Sequence, residues 1–203
     1  TLYELSDPDG ADLPPFTAGG HIDVVVAPEF FRQYSLSGDP ANRKSYQIAV
    51  LREDAGRGGS ALMHRIFEVG RRVFVSKPIN HFPLAPDGHS YLMGGGIGVT
   101  PMVAMAHALY AQGRSFDLHY SVTTRADAGF ILLLQNTPWA DAVHIHISDE
   151  GTRADLMAVL PHRMDAHVYT CGPDSYMPVS STPLTLPTIS RVVSPVGPAS
   201  LTI

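Results

Sequence analysis

Between Gly88 and Gly113 the chain carries no Asp, Glu, Lys or Arg. A stretch this apolar belongs inside a protein core or inside a membrane, and a membrane-spanning helix needs about 20 predominantly apolar residues. Here Gly94, Gly95, Gly96 and Gly98 sit in the middle, followed by Thr100, Pro101, His107 and Gln112. That composition predicts a buried strand over Ser90–Met93, a glycine turn, and a helix from Pro101 to Gln112. Thr100 is placed as the N-cap, Pro101 as the first helical residue, and Gly113 as the stop. A strand opening through glycines onto a helix N-terminus has the shape of a dinucleotide phosphate turn. The G-x-G-x-x-G pattern fails, however. Val99 stands at the third glycine in the frame from Gly94, and Pro101 in the frame from Gly96. The run is therefore either a different nucleotide-binding turn or a tight turn alone.

The pattern after this run alternates strand and helix. Strands are predicted at Phe116–Val122, Val143–Ser148 and His167–Cys171, with helices at Ala126–Gln135 and Ala154–Leu160. Such βαβ units imply a doubly wound parallel sheet. The first 86 residues read differently, as short strands between turn signals: Leu2–Leu5, His21–Val26, Gln33–Ser37, Tyr46–Leu51 and Arg72–Ser76. These suggest a small antiparallel barrel. One helix interrupts it, capped by Ser60, with Leu62, Ile66 and Val69 on one face and Gly70 at its end. The expected architecture is a β-barrel over residues 1–86, an α/β domain over 87–177, and a tail over 178–203. The tail is rich in Pro, Ser and Thr, with no predicted fold. It reads as a linker or as an abnormal chain end.

Composition narrows the function. Fourteen Lys and Arg stand against 19 Asp and Glu, for a net charge of −5. No basic run reaches four residues, which argues against non-specific nucleic-acid binding and a polybasic membrane patch. Cys171 is the only cysteine. This chain therefore holds no disulfide framework and no all-cysteine zinc or iron–sulfur site. A reducing, cytoplasmic compartment fits.

Four segments carry candidate chemistry. In Arg32-Gln33-Tyr34-Ser35-Leu36-Ser37 a cation, an aromatic ring and a hydroxyl share a short strand. They suit a planar phosphorylated ligand, or equally a surface cation beside a core ring. Gly56-Arg57-Gly58-Gly59-Ser60 precedes a helix and is an anion site or a plain turn. The glycine turn at 94–101 is the third. Cys171-Gly172-Pro173, at a strand's carboxyl end, is the fourth. Cys171 there is either beside a ligand or buried and inert. His144 and His146 share a strand face and could form half a zinc site, but no carboxylate or Cys pattern completes it, so no metal is expected. No G-x-S-x-G elbow is present.

In this order the segments resemble the ferredoxin–NADP reductase superfamily, and more closely its phthalate dioxygenase reductase and vanillate O-demethylase reductase branch. The resemblance covers nearly all of residues 1–177. It takes in Leu13-Pro14-Pro15-Phe16, His21-Ile22-Asp23-Val24, Arg32 to Leu36, Tyr46-Gln47-Ile48-Ala49-Val50, Gly56 to Ser60, Gly95 to Met102 and Tyr169-Thr170-Cys171-Gly172-Pro173. It implies an oxidoreductase with a flavin-binding barrel followed by a nucleotide-binding domain. Arg32, Tyr34, Ser35, Leu36, Ala49 and Val50 would surround the flavin, with Ser35 near N5. Gly58, Gly59 and Ser60 would take its phosphate. Gly95, Gly96, Gly98, Thr100, Pro101 and Arg125 would receive the nicotinamide nucleotide, with Cys171, Gly172 and Pro173 beside its ring. Ser35 and Cys171 are the implied catalytic pair. The implied cofactor is FMN rather than FAD, with NADH or NADPH as donor. Electrons would leave to an iron–sulfur protein or oxygenase component.

The chain departs from the family in four places. The family begins with a further strand, so the barrel is expected to lack its first. The helix after Pro173 breaks at Met177-Pro178, and no aromatic that would pack on the flavin is recognisable beyond it. The four cysteines of a ferredoxin domain are absent. Ile79 stands before Asn80, where the family often has Arg. These departures leave an alternative open: a truncated or frame-altered homologue that keeps the fold but binds flavin poorly and is not an active enzyme. NADH is expected over NADPH, because Thr123, Thr124 and one cation, Arg125, follow the second parallel strand, with Asp127 close by, although Arg125 or Arg153 could still reach a 2′-phosphate.

Overall fold

The computed structural model describes residues 1–28, 30–53, 56, 58–152, 165–173 and 176. The expected helix at 154–160, Arg57, Arg153, the break at 177–178 and the tail lie outside the described residues. The first half forms antiparallel, barrel-like sheets. β1 (Leu2–Ser6) pairs with β4 (Ser45–Ala49). β2 (His21–Ala27) lies between β3 (Phe30–Ser35) and β5 (Phe74–Val75). A bridge between Leu36 and Ile48 joins the two sheets. Strand alternation sets the inner face: Ile22, Val24, Tyr46, Ile48 and Val50 are buried.

The helix of this half, α1, spans Gly59–Ile66, shorter than expected. Gly58 is its N-cap, at φ 80°, and Ser60 is not a cap: its hydroxyl accepts the Glu53 N–H at 3.1 Å. The helix stops at Phe67, so Val69 lies beyond it and is fully exposed.

The second half is a four-stranded parallel sheet in the order β8-β7-β6-β9. Its strands are β6 (His89–Gly95), β7 (Phe116–Val122), β8 (Val143–Ile147) and β9 (Ala166–Cys171). The chain steps outward from β6 to β8, then returns to β6's other side as β9. The β6/β9 boundary is therefore the topological switch point. β6 runs two residues further than predicted, through Gly94 and Gly95. A tight turn over Gly96–Gly98 then leads into α2 (Val99–Ala111). Gly98, not Thr100, is the N-cap; Thr100 lies in the first turn and its hydroxyl donates to Ile97 O at 3.0 Å. α2 carries four Ala and two Met, strong helix formers, and buries nine of its 13 residues. No helix among the described residues is long and apolar enough to cross a membrane. The expected helix at 126–135 divides into a short turn, Arg125–Asp127, and α3 (Ile131–Gln135).

One continuous core joins the two halves. Gly19 makes the approach possible: at φ 90°, a Cβ there would fall 1.9 Å from the Phe82 carbonyl oxygen. Asn80 ties the connection down, donating to Thr17 Oγ1 and Ala18 O and accepting the Phe82 N–H. Arg114 donates to the carbonyls of Ala85 and Asp87, and the Ala85 N–H donates to the Tyr169 hydroxyl.

The other face of the parallel sheet carries linked histidines. His144 and His146 do share a face, but their nitrogens are engaged elsewhere. His146 Nε2 is 3.0 Å from His119 Nδ1, and His144 Nε2 is 3.0 Å from Asp117 Oδ1. The Asp117 carboxylate also meets His89 Nε2 at 3.0 Å, and the His119 and His144 rings stack at 4.5 Å. Burial, reinforced by His144 and His146, pushes the His119 pKa down to about 4. The unfolded chain then takes up a proton near pH 6.5 that the folded protein refuses until about pH 4. Stability falls as pH drops through that window and is unaffected by this group above it. Proton NMR of His119 should show its titration near pH 4; a midpoint near 6.5 would contradict the burial argument. His119→Gln should flatten the pH dependence of unfolding between pH 6.5 and 4.

Candidate functional site

Two of the sequence motifs meet in the barrel. Arg32 and Tyr34 alternate on β3, opposite Val24 and Ile22, so both face inward towards α1. The Arg32 guanidinium lies in the space that a side chain at position 59 would fill. A Cβ on Gly59 would be 2.5 Å from Arg32 Nε and 2.8 Å from Cζ. The cation thus stands at the first turn of α1, where free N–H groups point outward. It packs over the Phe30 ring at 5.3 Å and donates to Phe31 O. A cation, a glycine backbone and a helix N-terminus stand together here, an arrangement that suits an anion. Burial pushes the Tyr34 phenol up to about 12, so it remains a protonated donor at neutral pH. Ser35 faces the other way and pairs with His21. Leu36, Ala49 and Val50 are buried, and the Leu36 and Val50 N–H groups already donate to the carbonyls of Gly20 and Thr1. The Val50 carbonyl already meets His64 Nε2 at 3.0 Å.

The third and fourth motifs meet at the switch point. A Cβ on Gly98 would lie 2.3 Å from Cys171 O, and one on Gly94 would lie 2.6 Å from Val99 Cα. The turn therefore rests on the end of β9, backbone to backbone. Thr100 and Pro101 are buried in the first turn of α2, while Gly96 is open. Cys171 is half-buried and free, and burial pushes its thiol up to about 11. It is therefore a thiol at neutral pH, suited to packing against a ring and not to nucleophilic attack.

Two residues here escaped the sequence reading. The Tyr176 ring covers Gly95 and Gly172: a Cβ on either would come within 2.5 and 2.7 Å of it. Glu150 grips Arg125 with both carboxylate oxygens, at 2.7 and 2.6 Å. The acid singled out beforehand, Asp127, is instead engaged in a reciprocal cap with Thr124. Among the described residues no cluster of three or more His, Cys, Asp or Glu is arranged to hold a metal.

Similarity to known proteins follows the same motifs. No protein-family model matches the chain. It is 43% identical over 181 residues to phthalate dioxygenase reductase of Burkholderia cepacia, covering 86% of this chain and 56% of that protein. It is 40% identical over 178 residues to vanillate O-demethylase oxidoreductase of Pseudomonas putida, with shares of 86% and 56%. It superposes with a TM-score of 0.81, at 40% identity, on a phthalate dioxygenase reductase structure described as modular, for electron transfer from pyridine nucleotides to [2Fe–2S]. That match covers 87% of this chain and 56% of the other. The chain spans about half the length of the curated relatives it matches.

The Gly98 contact sets a test. Gly98→Ala forces backbone against backbone and should cost about 1–3 kcal/mol of stability. Gly96→Ala meets no neighbour and should cost about 1–2 kcal/mol, from its φ of 55° alone. Urea unfolding should show the Gly98 variant less stable than the Gly96 variant; the reverse order would contradict the packing.

Proposed function

The chain belongs to the ferredoxin–NADP reductase superfamily, in the branch of phthalate dioxygenase reductase and vanillate O-demethylase oxidoreductase, and from that premise we propose that it is the NAD(P)H-dependent reductase part of an oxygenase or O-demethylase system acting on aromatic compounds. Residues 1–86 bind the flavin and residues 87–177 the nicotinamide nucleotide. The observation that carries this reading is the Arg32 guanidinium seated in the space left by Gly59, a cradle for a terminal phosphate. When bound, flavin supplies a ring that accepts hydride from the nicotinamide and passes electrons on one at a time to an iron–sulfur protein or oxygenase component.

The chain's own residues bind, orient and exclude water. Arg32 and the backbone at Gly58 and Gly59 hold the phosphate. Tyr34 packs along the ligand from the same face of β3 as Arg32, whereas Ser35 lies on the opposite face. The turn at Gly95–Gly98 and the N-terminus of α2 take the nucleotide's pyrophosphate. Cys171 and Gly172 bound the nicotinamide pocket, where an uncharged thiol keeps the site apolar. NADH is the donor favoured at the Arg125 edge.

FMN is the flavin that the single anion cradle favours. One observation supports FAD as a second reading. An open cleft of about 580 Å³, lined by Phe30, Arg52, Gly58, Leu62 and Arg65 among others, continues from the cradle and has room for an adenylate. Flavin released by heat from the loaded protein should chromatograph as FMN; chiefly FAD would overturn that choice. Arg32→Ala should weaken flavin binding about 10- to 150-fold, the equivalent of one charge-assisted phosphate contact of about 1.5–3 kcal/mol. An unchanged dissociation constant in fluorescence titration would contradict the cradle.

A further inference from the structure

The carboxyl edge of the parallel sheet holds an exposed, bidentate ion pair. Arg125 comes from the turn after β7, and Glu150 from the turn Ser148–Glu150 after β8. The Asp149 N–H donates to Thr123 O at 3.1 Å, which fixes the two turns against each other. Across that brace Arg125 Nε meets Glu150 Oε1 and Arg125 Nη2 meets Glu150 Oε2. Both side chains are exposed, at 64% and 41%. Exposure leaves both groups open to a ligand, and the bidentate geometry holds them as one unit.

Position indicates which ligand. In doubly wound sheets an acidic group beyond the second strand accepts hydrogen bonds from the adenosine ribose diol, whereas a free Arg there accommodates a 2′-phosphate. This edge presents the two as a single unit. Each Glu150 oxygen accepts one bond from Arg125 and keeps a second lone pair for a hydroxyl donor. A 2′-phosphate, with roughly −1.5 to −2 charges, would meet the Glu150 carboxylate with Asp149 nearby. Arg125, the cation on this edge, is already paired with Glu150. Asp127 does not take this role, because its carboxylate caps Thr124.

We propose that Glu150 is the residue that selects NADH: paired with Arg125, it receives the ribose diol and denies the guanidinium to the 2′-phosphate of NADPH. The inference rests on the reading of this edge as the nucleotide site. It goes beyond a bare NADH preference by assigning the choice to a side chain from the turn after β8.

The test uses the full chain and the two adenosine fragments themselves, 5′-AMP and 2′,5′-ADP, measured by calorimetry in wild type, Glu150→Ala and Glu150→Ala/Arg125→Ala. Because the pair is exposed, circular-dichroism melting should report all three folded. Glu150→Ala should tighten 2′,5′-ADP at least 10-fold relative to 5′-AMP, and adding Arg125→Ala should abolish that gain. The kcat/KM ratio of NADPH to NADH should rise in step. A fragment ratio within twofold of wild type in Glu150→Ala, or a gain that survives in the double variant, overturns the role of Glu150 while leaving the nucleotide site in place. Failure of all three proteins to bind either fragment overturns the nucleotide reading of this edge and the selector with it.

Discussion

The contact between Gly98 and the backbone of Cys171 is the constraint on which the second half of the molecule depends. A Cβ at position 98 would sit 2.3 Å from the Cys171 carbonyl oxygen, so the turn after the central strand closes on its neighbour only without a side chain. That closure aims the N-terminus of α2 at the switch point and sets the thiol beside it. The glycines at 94 and 95 extend the same condition to Val99 and to the Tyr176 ring. The failed G-x-G-x-x-G match thus has a physical meaning: the glycines serve close contacts with α2, β9 and Tyr176, at spacings set by those neighbours.

The barrel solves its own version of the problem. Gly59 has no side chain because the Arg32 guanidinium occupies that space. In both halves a missing Cβ admits a neighbour to a helix N-terminus: a cation in one, the end of a strand in the other. The two sites are held in one body by Gly19, Asn80 and Arg114, which bind the connecting segment to both sides.

Much of this was legible in the residues. The charge-free run at 88–113 announced the central strand and its helix, and period-2 alternation at Tyr46, Ile48 and Val50 announced the barrel interior. The Arg32 segment and the Gly56–Ser60 turn are each legible as candidate phosphate sites, and β3 and α1 bring them together. Both helix starts fall two residues earlier than expected, because Ser60 and Thr100 have good capping chemistry but their hydroxyls bond to Glu53 N–H and Ile97 O instead. Glu150 was invisible because nothing local marks it. It becomes a partner of Arg125 only when β7 and β8 lie side by side, 25 residues apart in sequence. The local signal pointed to Asp127, whose carboxylate the turn itself absorbs.

If, as proposed, Arg32 and Gly59 hold a flavin and the Gly95–Gly98 turn holds a nicotinamide nucleotide, hydride passes between the two ligands. The direct measurement is an anaerobic titration of the FMN-loaded protein with NADH, followed by the flavin's visible absorbance. The account predicts bleaching that is complete at about one NADH per bound flavin, the stoichiometry of a two-electron hydride transfer. Protein that holds flavin firmly but keeps its absorbance under excess NADH would contradict it.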